Sequence, residues 1–296
     1  MGFKAHGIIP AMVTPLTDDY RVSEKGLRNL IEHVIKGGVH GIFVVGTSGE
    51  FYALDDKERE KAYRISVEQV AGRVPVYGGV NGIATIEAIK WAKLAEKCGC
   101  DAISVLTPMF ISPTQDELYD HFKAIADSVD IPMLLYNNVT KTGVNITSAT
   151  VDKLAHNVSN IVGVKDSSGD FNLQADYIRK TKDVDFSVLC GRDTLIHANL
   201  CYGGKGAITA CANIAPRLMA DIYDKYVAGD IKGSLEAQIQ ATPIRLAFNI
   251  GSFPVVLKEA LKLLGIDAGP CYPPIRPMTD EQIQALKKAM QESKLI

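Results

Sequence analysis

Lys165 closes the apolar run Ile161-Val162-Gly163-Val164, where a charged side chain is out of place. At the end of a buried strand its ammonium would be drawn out of water. Desolvation disfavours the charged form, which is how a lysine becomes a nucleophile toward carbonyls. The plainer reading is a lysine that snorkels to solvent or pairs with Asp166. Tyr136 ends a second apolar run, PMLLY, and its phenol could pass protons during addition to a carbonyl and carbon–carbon cleavage. A tyrosine that merely fills a core with its hydroxyl satisfied is the ordinary alternative. A third run ends FVVGTSGE, where Gly46-Thr47-Ser48-Gly49 offers two hydroxyls and several backbone N–H groups. Such a nest suits a carboxylate, although the same residues also favour plain tight turns.

These residues need a scaffold that brings three strand ends together. Short β-branched runs at 7–13, 41–45, 74–79, 102–106, 132–136, 161–165, 186–190 and 206–210 alternate with amphipathic helical patterns. Most are continuous apolar runs without polar alternation, as expected of strands buried on both faces of a parallel sheet. After Ser23, a candidate cap, Leu27, Leu30, Ile31, Val34 and Ile35 recur at helical spacing until Gly37-Gly38 stops them. The segments 55–70, 85–98, 115–129, 148–156, 172–181, 195–202 and 216–228 repeat that pattern. Eight βα units predict a closed (β/α)8 TIM barrel over residues 1–230, with all three candidate groups at its C-terminal rim. From 231 to 296 only helices are expected (233–248, 254–264 and 280–293), joined by GPCYPPIRP, as a helical appendage.

Composition narrows the partners. The 296 residues carry 32 Lys plus Arg against 34 Asp plus Glu, a formal charge of −2, with no basic run. Neither nucleic acid nor an anionic membrane is the expected partner. Six scattered cysteines, at 98, 100, 190, 201, 211 and 271, read as reduced buried thiols in a chain this long. Cys98-Gly99-Cys100 lacks the second pair or the histidines of a zinc site. The N-terminal stretch MGFKAHGIIPAMVTP has no signal-peptide core, and no apolar run reaches 18 residues, so a cytoplasmic protein is expected. Gly78-Gly79-Val80-Asn81-Gly82 before a helix has neither Walker nor dinucleotide spacing.

In order and spacing, GTSGE at 46–50, YNN…TG at 136–143, GVKD at 163–166, GRD at 191–193 and GGKGAITACANIAP at 203–216 form a specific set. On these motifs the chain resembles the dihydrodipicolinate synthase / N-acetylneuraminate lyase family over essentially its whole length. The resemblance implies a barrel with a helical C-terminal region, assembled as a homotetramer or homodimer, that works through a Schiff base without metal or organic cofactor. It implies that Lys165 forms the imine with pyruvate or another 2-oxo acid and that Tyr136 relays protons. Thr47 would hydrogen-bond Tyr136, and Ser48 with Gly49 and neighbouring backbone would hold the substrate carboxylate. Ile208 would line the pyruvate pocket, and Gly191 and Asp193 would face the rest of the substrate.

Three departures bear on the second substrate. Lys141 stands where the synthases place an arginine that binds a substrate carboxylate, and an ammonium lacks the bidentate fork. It could equally be a solvated loop lysine. Met109 and Phe110 replace two tyrosines, the second of which reaches into the neighbouring subunit's site; Phe110 keeps the ring but cannot pass a proton. Thr194 replaces an acidic residue of the sialic acid lyases. The expected activity is therefore a class I aldolase acting at C3 of a 2-oxo acid such as a 2-oxo-3-deoxy sugar acid. The alternatives are dihydrodipicolinate synthase itself, condensing pyruvate with aspartate semialdehyde, a dehydratase using the same imine, and a non-catalytic 2-oxo-acid sensor.

Overall fold

The structure, a computed structural model, describes residues 3–296. Met1 and Gly2, the start of the N-terminal stretch read above for a signal sequence, lie outside the described residues.

Eight strands run parallel: β1 (Gly7–Pro10), β2 (Ile42–Val44), β3 (Val76–Val80), β4 (Ala102–Leu106), β5 (Met133–Asn137), β6 (Ile161–Asp166), β7 (Ser187–Cys190) and β8 (Gly206–Thr209). Each pairs with its sequence neighbour from β2 through β8, and β1 pairs with β8. The ring closes through an Ala11–Phe43 bridge and the bond from Met12 N to Phe43 O at 2.8 Å, which join the end of β1 to β2. The TIM barrel expected from the eight apolar runs is therefore present. Closure at the β1–β8 seam depends on Gly206, at φ +145°, where a Cβ would lie 2.1 Å from Gly7 O.

Around the barrel lie α1 (Glu24–Lys36), α2 (Asp56–Val70), α3 (Thr85–Lys97), α4 (Gln115–Ala126), the single turn α5 (Val139–Thr142), α6 (Ser148–Asn157), α7 (Phe171–Lys180), α8 (Ile196–Cys201) and α9 (Pro216–Val227). Ser23 caps α1 as its type suggests, accepting from Gly26 N, and Thr114 closes a capping box with Glu117 on α4. Strand limits differ from the apolar runs by at most three residues, and β4 matches its run at both ends. The largest difference is at β1, expected to reach residue 13 but ending at Pro10, where the chain turns across the barrel rim. The α5 turn was not legible, because four residues carry no periodicity.

Beyond residue 230 come α10 (Ile231–Leu246), α11 (Val255–Leu263) and α12 (Asp280–Glu292), without a strand. Helix α10 packs on α9 and α12, and this region is bonded to the rim of the barrel. Gln238 Nε2 donates to Asp193 O at 2.8 Å, and Leu16 N to Ala268 O at 3.1 Å. Glu50, fully buried, meets Lys258 Nζ at 2.7 Å, too far off line for a hydrogen bond but close enough for charge pairing. Its other oxygen accepts from Tyr272 N at 2.8 Å, and Lys258 donates to Pro270 O at 2.5 Å. The six cysteines are all free, but the expectation that they are buried fails at Cys201, which is exposed on α8, and at Cys98, which is half-buried. Among the described residues, no helix is long and apolar enough to cross a membrane.

Removing one partner of a buried ion pair leaves an uncompensated charge. Lys258→Met is expected to cost about 3–5 kcal/mol of unfolding free energy, measured by urea denaturation. A loss under about 1 kcal/mol would mean that water replaces the ammonium beside Glu50.

Candidate active site

The register of the barrel sets the first geometry. Tyr136 on β5 lies opposite Lys165 on β6, and both strands present these residues near their C-terminal ends. Side chains alternate along a strand, so Lys165 and Asp166 point to opposite sides. Asp166 turns to Asn137 Nδ2 at 3.0 Å and Ser168 Oγ at 2.8 Å; burial raises its pKa against those bonds. Lys165 thus neither snorkels nor pairs with Asp166. It is 4% exposed and makes no ion pair among the described residues. Its Nζ stands 4.0 Å from the Tyr136 ring centroid and 4.8 Å from that of Phe43, so aromatic faces surround it.

Tyr136 Oη has two side-chain partners, Thr47 Oγ1 at 3.4 Å and Asn138 Nδ2 at 3.0 Å. Burial pushes the phenol pKa up, but the Lys165 charge, the Thr47 hydrogen bond and the polar Lys165 and Ser167 side chains nearby outweigh it and leave the phenol more acidic than usual. A more acidic phenol gives up its proton more readily, which suits a proton carrier.

The Gly46–Glu50 turn is built under constraint. Val45 and Glu50 both have positive φ, +59° and +55°, a conformation that a β-branched valine rarely adopts. Asn81 Nδ2 holds Val45 O at 2.8 Å, and the Glu50–Lys258 pair anchors the other end. Within the turn the Gly49 amide is already used, donating to Gly46 O at 3.0 Å, and Gly49 O accepts from Thr14. Gly49 lies behind the turn, outside the cavity lining, whereas its neighbours Thr47 and Ser48 line it. The Thr47 and Ser48 amides have no partner among the described residues and, with the Ser48 hydroxyl, remain free as donors.

These groups open into one cavity of about 550 Å³. Thr47, Ser48, Tyr136, Lys165 and Ile208 form its floor; Lys141, Gly191 and Asp193 also line it, as expected. Asp193 is less available than its position suggests. One carboxylate oxygen accepts from Thr209 Oγ1 and from Cys211 N at 2.8 Å, and the other faces Arg245 Nε at 3.6 Å. Sequence reasoning missed Asn138, Arg192, Arg245 and the 248–253 segment, all of which line the cavity. Arg192 follows Gly191 in a recognisable motif and could have been found. Arg245 and Phe248 follow the last strand, and nothing in their spacing shows that α10 returns them to the rim. Phe110 is 95% exposed, with φ +74°, and does not line its own chain's cavity.

A buried lysine and an acidified tyrosine side by side at the C-terminal rim of a (β/α)8 barrel, with free amides beside them, describe the class I aldolase type of site. Residues 4–293 match the Dihydrodipicolinate synthetase family, to which the chain belongs. That family consists of class I pyruvate aldolases, and this chain is a lyase/synthase of that kind. Relatives include the 4-hydroxy-tetrahydrodipicolinate synthases of Methanopyrus kandleri, 36% identical over 100% of this chain and 99% of the relative, and of Syntrophus aciditrophicus, 39% identical over 98% and 99%. Among solved structures, dihydrodipicolinate synthase of Thermotoga maritima superposes with TM-score 0.95 at 31% identity, covering 98% of this chain and 99% of the other. The E. coli K12 prophage protein YagE, a member of the same family solved in complex with pyruvate, gives 0.95 at 33% with the same coverage.

A Cβ at Gly79 would lie 2.3 Å from Val45 O, at the strained start of the Gly46–Glu50 turn. Gly79→Ala is therefore expected to raise KM for pyruvate by about tenfold or more, read from steady-state kinetics, with a smaller effect on kcat. An unchanged KM would show that the turn can move without losing its grip on the carboxylate.

Proposed function

We propose that this protein condenses pyruvate with a carboxylate-bearing aldehyde, as in 4-hydroxy-tetrahydrodipicolinate synthesis from aspartate semialdehyde. Lys165 attacks the pyruvate carbonyl as the free amine, forming a C–N bond. The carbinolamine loses its hydroxyl as water, using a proton that Tyr136 carries. The resulting iminium withdraws electrons from C3, which loses a proton to become an enamine and then attacks the aldehyde carbon, whose oxygen takes up a proton. Water then adds to the regenerated iminium and breaks the C–N bond, returning Lys165 as the amine. The Thr47 and Ser48 amides and the Ser48 hydroxyl hold the pyruvate carboxylate, and Ile208 closes the apolar side. None of these steps calls on a metal or an organic cofactor. Among the described residues, no group of three or more His, Cys, Asp or Glu side chains could hold a metal ion.

The observation that carries this reading is the unpaired, aromatic-enclosed Lys165 beside Tyr136. The second substrate is read from the cavity lining, where the cationic side chains of Lys141, Arg192 and Arg245 accompany one carboxylate, Asp193, that is already bonded. The terminal nitrogens of Arg245 make no hydrogen bond among the described residues, so a planar fork is open to an anion. Lys141 then adds a charge at the rim, and Gly191 with Asp193 shapes the wall. The names carried by the relatives agree with this choice. Cleavage of a 2-oxo-3-deoxy sugar acid is the second reading, favoured by the missing hydroxyl at Phe110.

Assembly as a homodimer or homotetramer is also proposed. Ile83, Ile86, Phe110 and Ile111 expose large apolar surfaces on the segments after β3 and β4, Ile86 in the first turn of α3, which a second copy would cover. One structural neighbour is described as a monomeric dihydrodipicolinate synthase variant.

Borohydride reduction with pyruvate tests the imine. The expected product is a reduced adduct on Lys165, absent in Lys165→Ala, whose fold is intact by circular dichroism; an adduct on another lysine would sink the assignment. Tyr136→Phe is expected to slow turnover about 10²–10⁴-fold. Arg245→Ala should raise KM for aspartate semialdehyde about tenfold or more while leaving that for pyruvate alone. Equal rises for both substrates would remove Arg245 from aldehyde recognition, and turnover of sugar acids alone would favour the second reading.

A further inference from the structure

Tyr136 finds the partners of its hydroxyl without leaving its own chain. Asn138 Nδ2 donates to Tyr136 Oη at 3.0 Å. At the other end of that amide, Asn138 Oδ1 accepts from Thr140 Oγ1 at 3.1 Å, so in this arrangement the nitrogen faces the phenol. The backbone of Asn138 is held as well, its carbonyl accepting from Lys141 N at 2.9 Å and Thr142 N at 3.1 Å at the start of α5. Asn138 is buried, and it lines the cavity between Tyr136 and Lys141.

The direction of this bond matters for the chemistry. A carboxamide neither takes up nor releases a proton near neutral pH, so Asn138 is not a link in a relay. It can only donate. With Asn138 donating into Tyr136 Oη, the phenol's own proton is left for Thr47 Oγ1 or for the oxygen departing from the substrate. Once that proton has gone, the charge left on Oη meets an N–H already in position, which costs no reorganisation at that moment. Lys165 is the charged group facing Tyr136; its other neighbours, Thr47, Ser167, Phe43 and Asn138, are uncharged.

We propose that Asn138 is a positioning residue of the proton transfer: from within the same subunit, its amide stabilises the phenolate through which Tyr136 passes in each turnover. The proposal rests on the reading of Lys165 as the imine-forming residue and Tyr136 as its proton carrier.

The test is the pH profile of kcat/KM for Asn138→Ala and Asn138→Asp beside the wild type. Loss of a donor to a charged oxygen should lower kcat near neutral pH by about tenfold or more. The phenolate loses its support, so the phenol holds its proton to higher pH. The alkaline limb of the profile should therefore move up by about one pH unit in Asn138→Ala, and further in Asn138→Asp, where a carboxylate faces the forming charge. KM for pyruvate should stay within about twofold. Thr140→Val, which frees the amide to rotate, should move the limb in the same direction by less. A loss of equal size at every pH, with the limb unmoved in all three variants, would overturn the proposal, as would full activity in Asn138→Ala. Borohydride trapping on Lys165 separates the two levels of the argument. Normal trapping in the variants shows a folded, imine-competent site, so an unmoved limb then counts against Asn138 alone. Failure of the wild type to trap pyruvate would overturn the underlying reading together with the proposal.

Discussion

An amine buried without a carboxylate partner persists only where its surroundings can meet either of its protonation states, and Lys165 is such a group. The faces of Phe43 and Tyr136 lie 4.8 and 4.0 Å from its Nζ and enclose it. Most of the site follows from keeping a carboxylate away. Asp166 is adjacent in sequence, yet the strand pleat turns it behind the sheet into bonds with Asn137 and Ser168. Asp193 lines the same cavity, but Thr209, Cys211 and Arg245 occupy its oxygens. A carboxylate free to reach Lys165 would fix the proton on it and end its use as a nucleophile.

The barrel alone does not complete this arrangement. The turn that presents the free Thr47 and Ser48 amides begins at a valine with positive φ and ends at a buried glutamate, and neither is comfortable in isolation. Strand β3 holds the first through Asn81, and the C-terminal helices hold the second through Lys258 and the Tyr272 amide. Strain of this kind persists only where the surroundings over-determine it. Helix α10 adds Arg245 to the mouth of the same cavity and ties Asp193 O through Gln238. The helical region therefore supports both ends of the site: the carboxylate nest on one side and the cationic mouth on the other.

In the proposed reading, proton transfer and substrate choice fall to separate groups. Thr47 and Asn138 bond Tyr136, which lies beside Lys165, whereas Lys141, Arg192 and Arg245 are the other cations of the cavity lining. A family built on one imine chemistry can change its aldehyde by altering the ring of charges while leaving the floor intact. That separation explains how this chain shares a family and a fold with relatives at 36–39% identity while departing from expectation at Lys141 and Phe110. It is also why the cationic opening bears on the choice between a carboxylate-bearing aldehyde and a sugar acid, whereas the floor would serve both.

The order of apolar runs was enough to read the barrel, because strands buried on both faces need continuous apolar sequence whatever their neighbours are. The same runs made Lys165 and Tyr136 conspicuous, since polar ends on apolar strands show against their background, and Thr47 and Ser48 followed from turn chemistry next to a strand. What required the tertiary structure were the relations between distant segments. Pairing Tyr136 with Lys165 depends on the β5–β6 register, and a one-residue slip would have put them on opposite faces. The role of Asn138 depends on which way an amide points, with its nitrogen on Tyr136 and its oxygen on Thr140. The withdrawal of Gly49 depends on a bond its amide makes within the turn. Arg245 and Lys258 reach the site only because α10 and α11 fold back over the barrel mouth. Local sequence determines which groups are unusual for the element that carries them; closure of the chain decides which of them meet, because contacts between segments far apart in sequence leave no periodicity to read.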